Sequence, residues 1–319
     1  MNDNRLSAVD AAHLVSLRKK IHLLWDLVTA VAKSYKTGLF LHGPGGVGKS
    51  YNVLTRLKDL DVPFIPFNSR MTPKGLFQTL EKAPDAVFVL EDMERLTKEP
   101  DAQGVLRSAL WAQPGQDRVV TWTTAKEGER RFVFRGGLIL ISNRPLADLA
   151  ELRALATRIE VHRLDVTDAE LTALMRELAF QGYRQGGKLA LAAAECGVVT
   201  EYLLSECRTA GCPLDLRLQQ KSFQTYLQWA SDNAFCDWRD LVAASVREAT
   251  HHFRHALNTL SPEDKKKQRR NVIREIVNLT ADVKEQERLY TERTGAKHAD
   301  FFRRKREVET GDFDEEDAA

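Results

Sequence analysis

An α/β domain with a five-stranded parallel sheet, followed by an all-helical region, is the fold class this sequence predicts. Three observations carry that reading. Five short apolar or β-branched runs alternate with helical patterns between about residues 37 and 165, as parallel strands joined by crossover helices do. The first run leads straight into a glycine-rich loop, Gly43-Pro44-Gly45-Gly46-Val47-Gly48-Lys49-Ser50, and then into a helical pattern. Beyond about residue 166 only helical periodicity is read.

The elements follow in order. Residues 9–34 are a helix, with Leu14, Leu17, Ile21, Leu24, Val28 and Val31 at spacings of three and four. The strands are expected at 39–42, 63–67, 86–90, 138–142 and 158–164. The third and fourth are almost continuously apolar, which fits strands buried on both faces. Helices are expected near 50–58, 73–82, 101–112 and 145–155. Two β-rich runs, 118–124 and 130–134, flank Ala125-Lys126-Glu127-Gly128-Glu129 and read as a hairpin inserted before the fourth core strand. Helices at 171–180, 198–207 and 214–229, and another opened by Asp237, fill the next region. A linker at 259–264 then precedes a basic helical segment, and residues 312–319 form an acidic end read as disordered. The expected division is an N-terminal helical segment (1–36), an α/β core (37–165), a helical lid (166–258), a helical C-terminal segment (259–311) and the tail.

Composition narrows the classes. The chain has 319 residues, 43% hydrophobic and 29% charged, with 47 Lys and Arg against 45 Asp and Glu, a net charge of +2. This fits a globular protein of more than one domain and no strongly basic overall surface. No apolar run reaches the roughly 18 residues that span a bilayer, and the N-terminus lacks the layout of a secretory signal. The expectation is a cytoplasmic protein with no membrane partner. Cys196, Cys207, Cys212 and Cys236 form no close CxxC pair and read as reduced thiols rather than zinc ligands.

The glycine-rich segment matches the phosphate-binding pattern GxxxxGK[ST] in full. Glycines let the backbone wrap closely around phosphates and turn its N–H groups inward. Lys49 supplies charge to the β- and γ-phosphates, and Ser50 a hydroxyl to Mg²⁺. The helix starting there, with Tyr51 beside the motif, presents its positive dipole end. Gly43, Pro44, Gly45, Gly46, Val47, Gly48, Lys49, Ser50 and Tyr51 are thus the expected ATP-binding set. The strand 86–90 ends in Glu91 and Asp92. Two carboxylates beside a phosphate loop suit two roles, one holding Mg²⁺ and one polarising the attacking water. A second register, Asp92 for the metal and Glu94 as base, stays open.

On these motifs the chain resembles the AAA+ ATPases over roughly residues 37–245. The resemblance implies strand order 5-1-4-3-2, Mg-ATP held at a subunit boundary, and assembly into a homo-oligomeric ring or spiral, with a hexamer the expected form. The strand Leu138-Ile139-Leu140-Ile141-Ser142-Asn143 resembles the sensor-1 strand, which implies that Asn143 positions water near the γ-phosphate. The segment Leu155-Ala156-Thr157-Arg158-Ile159 resembles the stretch that carries an arginine finger in clamp loaders and replication initiators. That implies Arg158 acts on the neighbour's nucleotide, with Arg153 the competing candidate. Leu214-Asp215-Leu216-Arg217 resembles the sensor-2 position, which implies that Arg217 closes over the γ-phosphate in cis. Glu91 stands where the family usually has Asp, which bears on turnover rate more than on binding. Detailed similarity is to stand-alone AAA+ proteins of phages and other mobile elements, through Thr72-Pro73-Lys74-Gly75-Leu76, Glu91-Asp92-Met93-Glu94 and Phe132-Val133-Phe134-Arg135-Gly136-Gly137.

Two regions are candidates for DNA. From Glu263 to Glu307 there are fourteen Lys or Arg against nine Asp or Glu. They lie on a helix, a second helix, a glycine-containing turn and a third, basic helix, which resembles a helix-turn-helix module. The basic residues Lys265, Lys266, Lys267, Arg269, Arg270, Arg303, Arg304, Lys305 and Arg306 would contact DNA; the other reading is an oligomerisation tail with solvated charges. In the hairpin at 118–134, Trp122, Lys126, Arg130 and Arg131 either project into a ring pore toward DNA or pack on the core. The functional expectation is an ATPase that remodels or loads a partner on DNA. Its alternatives are a nucleotide-gated DNA-binding adaptor with little hydrolysis, and a remodeller without DNA.

Overall fold

The computed structural model describes residues 6–68, 71–92, 96–124, 128–146, 155–260 and 262–311. Glu94, Lys126, Arg153, most of the helix expected at 145–155 and the acidic end lie outside these residues. The chain divides into two compact units, one of Leu17–Asp165 and one of Met1–Ser16 with Val166–Ala319.

Helix α1 (Ala8–Ala32) contributes to both, and Leu14, Leu17, Leu24, Val28 and Val31 are buried as their spacing predicts. The first unit then runs β1 (Gly38–His42), α2 (Lys49–Asp59), β2 (Phe64–Phe67), α3 (Pro73–Lys82), β3 (Val87–Glu91), α4 (Pro100–Leu110), β4 (Val119–Thr124), β5 (Gly128–Val133), β6 (Gly137–Ser142) and β7 (Glu160–Arg163). Five strands form one sheet in the order β2-β3-β6-β1-β7, with every neighbouring pair parallel. Counted among these five, that is 5-1-4-3-2 from the β7 edge, the order the AAA+ resemblance implies.

Sequence explains the order. The inner strands are the apolar runs GLFLH, VFVLE and GLILIS, which survive burial on both faces. Pro66 sits in β2, an edge strand, where its missing N–H breaks no inner ladder. The polar run EVHR forms the other edge. Phe40, Phe88, Leu90, Leu138 and Leu140 share one core with Leu76, Phe77 and Leu80 of α3 and Val105, Leu106 and Leu110 of α4. Their sequence neighbours Leu39, Val89, Ile139 and Ile141, on the opposite face, are buried as well. Each such side chain contributes about 1.5–3 kcal/mol.

Gly136 marks the tightest crossing. A Cβ there would lie 2.0 Å from the Ala86 carbonyl oxygen and 2.9 Å from its carbon. Both are backbone atoms of the chain entering β3, so they yield only if the strand shifts. Gly136→Ala is expected to cost at least about 2 kcal/mol in thermal or urea unfolding; an unchanged midpoint would contradict the close approach.

The predicted hairpin is β4–β5, antiparallel with Thr124 opposite Gly128. Its faces divide by alternation. Trp122 and Phe132 pack on Phe77 of α3, at ring separations of 6.0 and 5.3 Å. Arg130 lies over the same ring at 5.6 Å and pairs with Glu81. The pore reading is therefore corrected for Trp122 and Arg130, whose partner is α3. Thr121, Thr123, Glu129 and Arg131 occupy the exposed face.

The second unit contains α5 (Asp168–Phe180), β8 (Tyr183–Gln185), β9 (Lys188–Leu191), α6 (Ala193–Ala210), α7 (Leu216–Ala230), α8 (Trp238–Thr259), α9 (Pro262–Leu279), α10 (Val283–Thr294) and α11 (His298–Thr310). Thr167 and Glu170 close a capping box at α5. The helical reading of this region misses one feature, the hairpin β8–β9. It turns on Gly186 and Gly187, with φ of 58° and 81°, the two positive values a type I′ turn needs. Helices α9, α10 and α11 enclose their own core of Val272, Ile273, Ile276, Leu289, Tyr290 and Phe301, and α10 also packs on α6 and α8. Among the described residues no helix is long and apolar enough to cross a membrane.

Candidate nucleotide-binding site

Parallel topology places the ends of β1, β3 and β6 side by side: Leu41 pairs with Ile141, which also pairs with Glu91. The loop after β1, the acids after β3 and Asn143 after β6 therefore meet at one rim, where ligands bind in open α/β sheets.

The loop 43–48 is shaped by its glycines. Gly43, Gly46 and Gly48 have φ of 150°, 71° and 85°, and a Cβ on Gly43 would lie 2.5 Å from the Leu164 carbonyl oxygen. Gly48 caps α2 without any side-chain hydrogen bond, and no acidic residue occupies the first turn. The N–H groups of that turn thus face the loop with no carboxylate competing for them. Asn52 donates from Nδ2 to the Gly48 carbonyl at 2.9 Å and braces the junction. Sequence reading missed it, although its position four residues after the last loop glycine is the helical spacing that permits this bond.

Lys49 is 6% exposed. Its Nζ donates to the carbonyls of Gly43 (2.8 Å) and Pro44 (2.6 Å) and to Asn143 Oδ1 (2.9 Å). The expected phosphate lysine and the expected sensor are thus in contact. Across the loop, a Cβ on Gly45 would point at the same Asn143 Oδ1, 3.9 Å away. Ser50 Oγ donates to Glu91 Oε2 at 2.7 Å. A hydroxyl beside a carboxylate is an all-oxygen pair of the kind Mg²⁺ takes with substrate phosphates. The glycine cradle, the buried ammonium and this pair fit a nucleotide phosphate with Mg²⁺.

The two acids separate. Glu91, the last residue of β3, reaches Ser50. Asp92 lies beyond the strand in a left-handed conformation (φ 51°) and is exposed. Val47 is buried and Pro44 half-buried, while Tyr51 is 73% exposed on α2.

Arg158 lies elsewhere. It precedes β7, whose Glu160 pairs with Leu39 at the start of β1. It therefore stands at the end of the strands opposite the loop that follows β1. Five residues of β1 at about 3.3 Å each separate the two ends by roughly 16 Å. Arg217 belongs to the other unit, exposed on the first turn of α7, where its N–H donates to the capping Asp215 at 2.6 Å.

The basic C-terminal residues fall into two groups. Arg270 and Arg304 are 5% and 4% exposed and ion-pair with Glu307. Arg293, 3% exposed, bridges Asp168 and Glu275 at 3.0 and 3.1 Å. The expectation that Arg270 and Arg304 contact DNA is corrected, because burial spends their charge on internal carboxylates. Lys305 is half-buried and donates to Gln286. Lys266, Lys267, Lys297, Arg303 and Arg306 are exposed. Arg269, Lys297 and Arg303 line a cavity of about 540 Å³ at the α10–α11 turn.

No protein-family model matches the chain, and no curated protein matches it. Among solved structures it is similar to that of the Aeropyrum pernix Orc1 protein in complex with DNA. That match has 13% identity and a TM-score of 0.44, and covers 92% of this chain and 82% of that one.

Proposed function

We propose that the chain is an AAA+ ATPase that hydrolyses Mg-ATP between the subunits of an oligomer and uses the cycle to remodel or load a partner on DNA. The observation that carries this is the convergence of the glycine loop, Lys49, the Ser50–Glu91 pair and Asn143 at one rim of the sheet. In this reading the loop N–H groups and Lys49 bind the ATP phosphates. Ser50 and Glu91 hold Mg²⁺, which when bound offsets phosphate charge and polarises the transferred group. Asp92 accepts a proton from the attacking water, Asn143 orients that water, and Arg217 senses the γ-phosphate in cis. The position of Arg158 at the opposite end of the strands supports action in trans, since its own loop lies a strand's length away.

The acids give the test. Glu91→Gln is expected to raise the Mg²⁺ concentration needed for half-maximal nucleotide binding about tenfold. Asp92→Asn is expected to leave binding intact and slow turnover by about 10²-fold, the lower range for a positioned acid–base group. The reverse pattern would transfer the metal to Asp92.

The DNA component is supported by the exposed cations around the α10–α11 cavity. Lys297→Glu with Arg303→Glu is expected to weaken duplex binding and to reduce the slope of log K against log salt by about two. An unchanged slope would remove DNA from this surface. A mobile-element setting follows from the detailed resemblance alone. The adaptor reading is favoured by one observation: the carboxylate touching Ser50 is a glutamate, while Asp92 stands exposed past the strand. Strong DNA stimulation of steady-state turnover would count against the adaptor.

A further inference from the structure

We infer that Trp111 is a positioning residue for Arg158, its indole face holding the guanidinium in place for a γ-phosphate bound by a neighbouring copy of the chain. This rests on the trans reading of Arg158 above.

The geometry begins at the end of α4. Leu110 is the last helical residue and is fully buried. Trp111 leaves the helix in an extended conformation (φ −147°, ψ 143°), with its N–H held by the Arg107 carbonyl at 3.1 Å. Its side chain remains 44% exposed. Arg158 belongs to the turn before β7, and its N–H donates to the Leu155 carbonyl at 2.8 Å. The Arg158 Cζ lies 5.6 Å from the Trp111 ring centroid, within the range of a cation–π contact.

The core sets this contact. Leu110 and Ile159, the sequence neighbours of the two residues in contact, converge over Gly38. A Cβ on that glycine would lie 2.4 Å from Leu110 Cδ2 and 3.2 Å from Ile159 Cδ1. The residues next to Trp111 and Arg158 thus pack in one core. A cation–π contact is made by the charge over the ring face and uses none of the guanidinium's N–H donors. It also restricts the rotamers of Arg158 before the phosphate arrives, which is the advantage of preorganisation.

The test measures ATP turnover as a function of protein concentration, with binding of a fluorescent ADP analogue measured alongside. The variants are Arg158→Ala, Trp111→Ala, Trp111→Phe and the Trp111→Ala/Arg158→Ala double. Arg158→Ala is expected to lose at least about 10³-fold in kcat, as loss of an arginine finger does. Trp111→Ala is expected to lose about three- to thirty-fold in kcat, the range of a cation–π contact, with KM, analogue binding and melting midpoint unchanged. Trp111→Phe should recover most of the loss, and the double variant should be no slower than Arg158→Ala alone. Full turnover in Arg158→Ala would overturn the trans reading itself. Loss in Arg158→Ala with wild-type kcat in Trp111→Ala would overturn the role of Trp111 alone. A Trp111→Ala defect that adds in full to that of Arg158→Ala, or appears only as lost analogue binding, would also overturn it.

Discussion

Lys49→Ala is expected to reduce ATP turnover by at least about 10²-fold, to background in a steady-state assay, while leaving the fold intact. The size follows from what the ammonium does. It is the only side-chain cation inside the loop of described residues 43–50, and it is almost fully buried, so it acts where charge is weakly screened. Removing one fixed donor from a developing anion costs about 10²–10³ in kcat in enzymes where it has been measured. Nucleotide affinity is expected to fall with it, because in the proposed site the same ammonium meets the ground-state phosphates. The fold is expected to survive because the bonds that Lys49 makes to the Gly43 and Pro44 carbonyls and the Asn143 side chain are ones their acceptors can lose. Carbonyls with spare lone pairs tolerate losing one donor better than buried N–H groups tolerate losing an acceptor. Unfolding without nucleotide should therefore shift by no more than about 1 kcal/mol. Wild-type hydrolysis in the variant would overturn the site. Lys49→Arg should also fail, because a planar fork of five donors does not replace a compact ammonium in a niche lined by three acceptors.

What could be read from sequence, and what could not, follows the range of the interactions. The inner strands were legible because burial on both faces demands apolar runs such as Val87-Phe88-Val89-Leu90, and the loop because its backbone takes positive φ at glycines fixed in spacing before Lys49. Both are local constraints. The contacts that join separate elements were not visible: that Glu91 rather than Asp92 meets Ser50, and that Lys49 touches Asn143, depend on how β1, β3 and β6 are ordered. Burial of charge was the harder case. Arg303, Arg304 and Arg306 read alike along the chain, yet Arg304 faces the module's interior while Arg303 and Arg306 face out. A basic helix was therefore over-counted as a DNA surface. The β8–β9 hairpin escaped because its strands, three and four residues long, are too short for a period-two pattern to show.

Asp300→Ala is expected to destabilise the C-terminal module by about 3–5 kcal/mol, the cost of breaking a buried ion pair by removing one partner. The residue lies in the first turn of α11. If it only complemented the helix dipole, its loss would cost less than about 1 kcal/mol. Its surroundings argue for more. Its side chain is 11% exposed. It accepts from the Tyr290 hydroxyl at 2.6 Å, Arg269 at 3.1 Å and Arg303 at 2.8 Å, with Arg304 at 3.5 Å. Removing it leaves a buried phenol and the largely buried Arg269 guanidinium without this acceptor and takes one of its two carboxylate neighbours from the buried Arg304. Burial alone would raise the carboxyl's pKa, but hydrogen bonds from Tyr290 and Arg303, with the charges of Arg269 and Arg304, hold it below the usual range. Burial and the bond to Asp300 together push the Tyr290 hydroxyl up. The sign of the pH dependence follows. A depressed carboxylate contributes its stability in full above the ordinary value of about 4 and loses it as pH falls through the folded value. Wild-type α11 should therefore lose hydrogen-exchange protection below about pH 4, and Asp300→Asn should flatten that loss while being less stable at pH 7. The same substitution removes the carboxylate from a cavity whose other charged lining residues are Arg269, Lys297 and Arg303, so duplex affinity at low salt should rise even as the module weakens. A loss below 1 kcal/mol, or an unchanged pH profile, would return Asp300 to an ordinary helix-end charge.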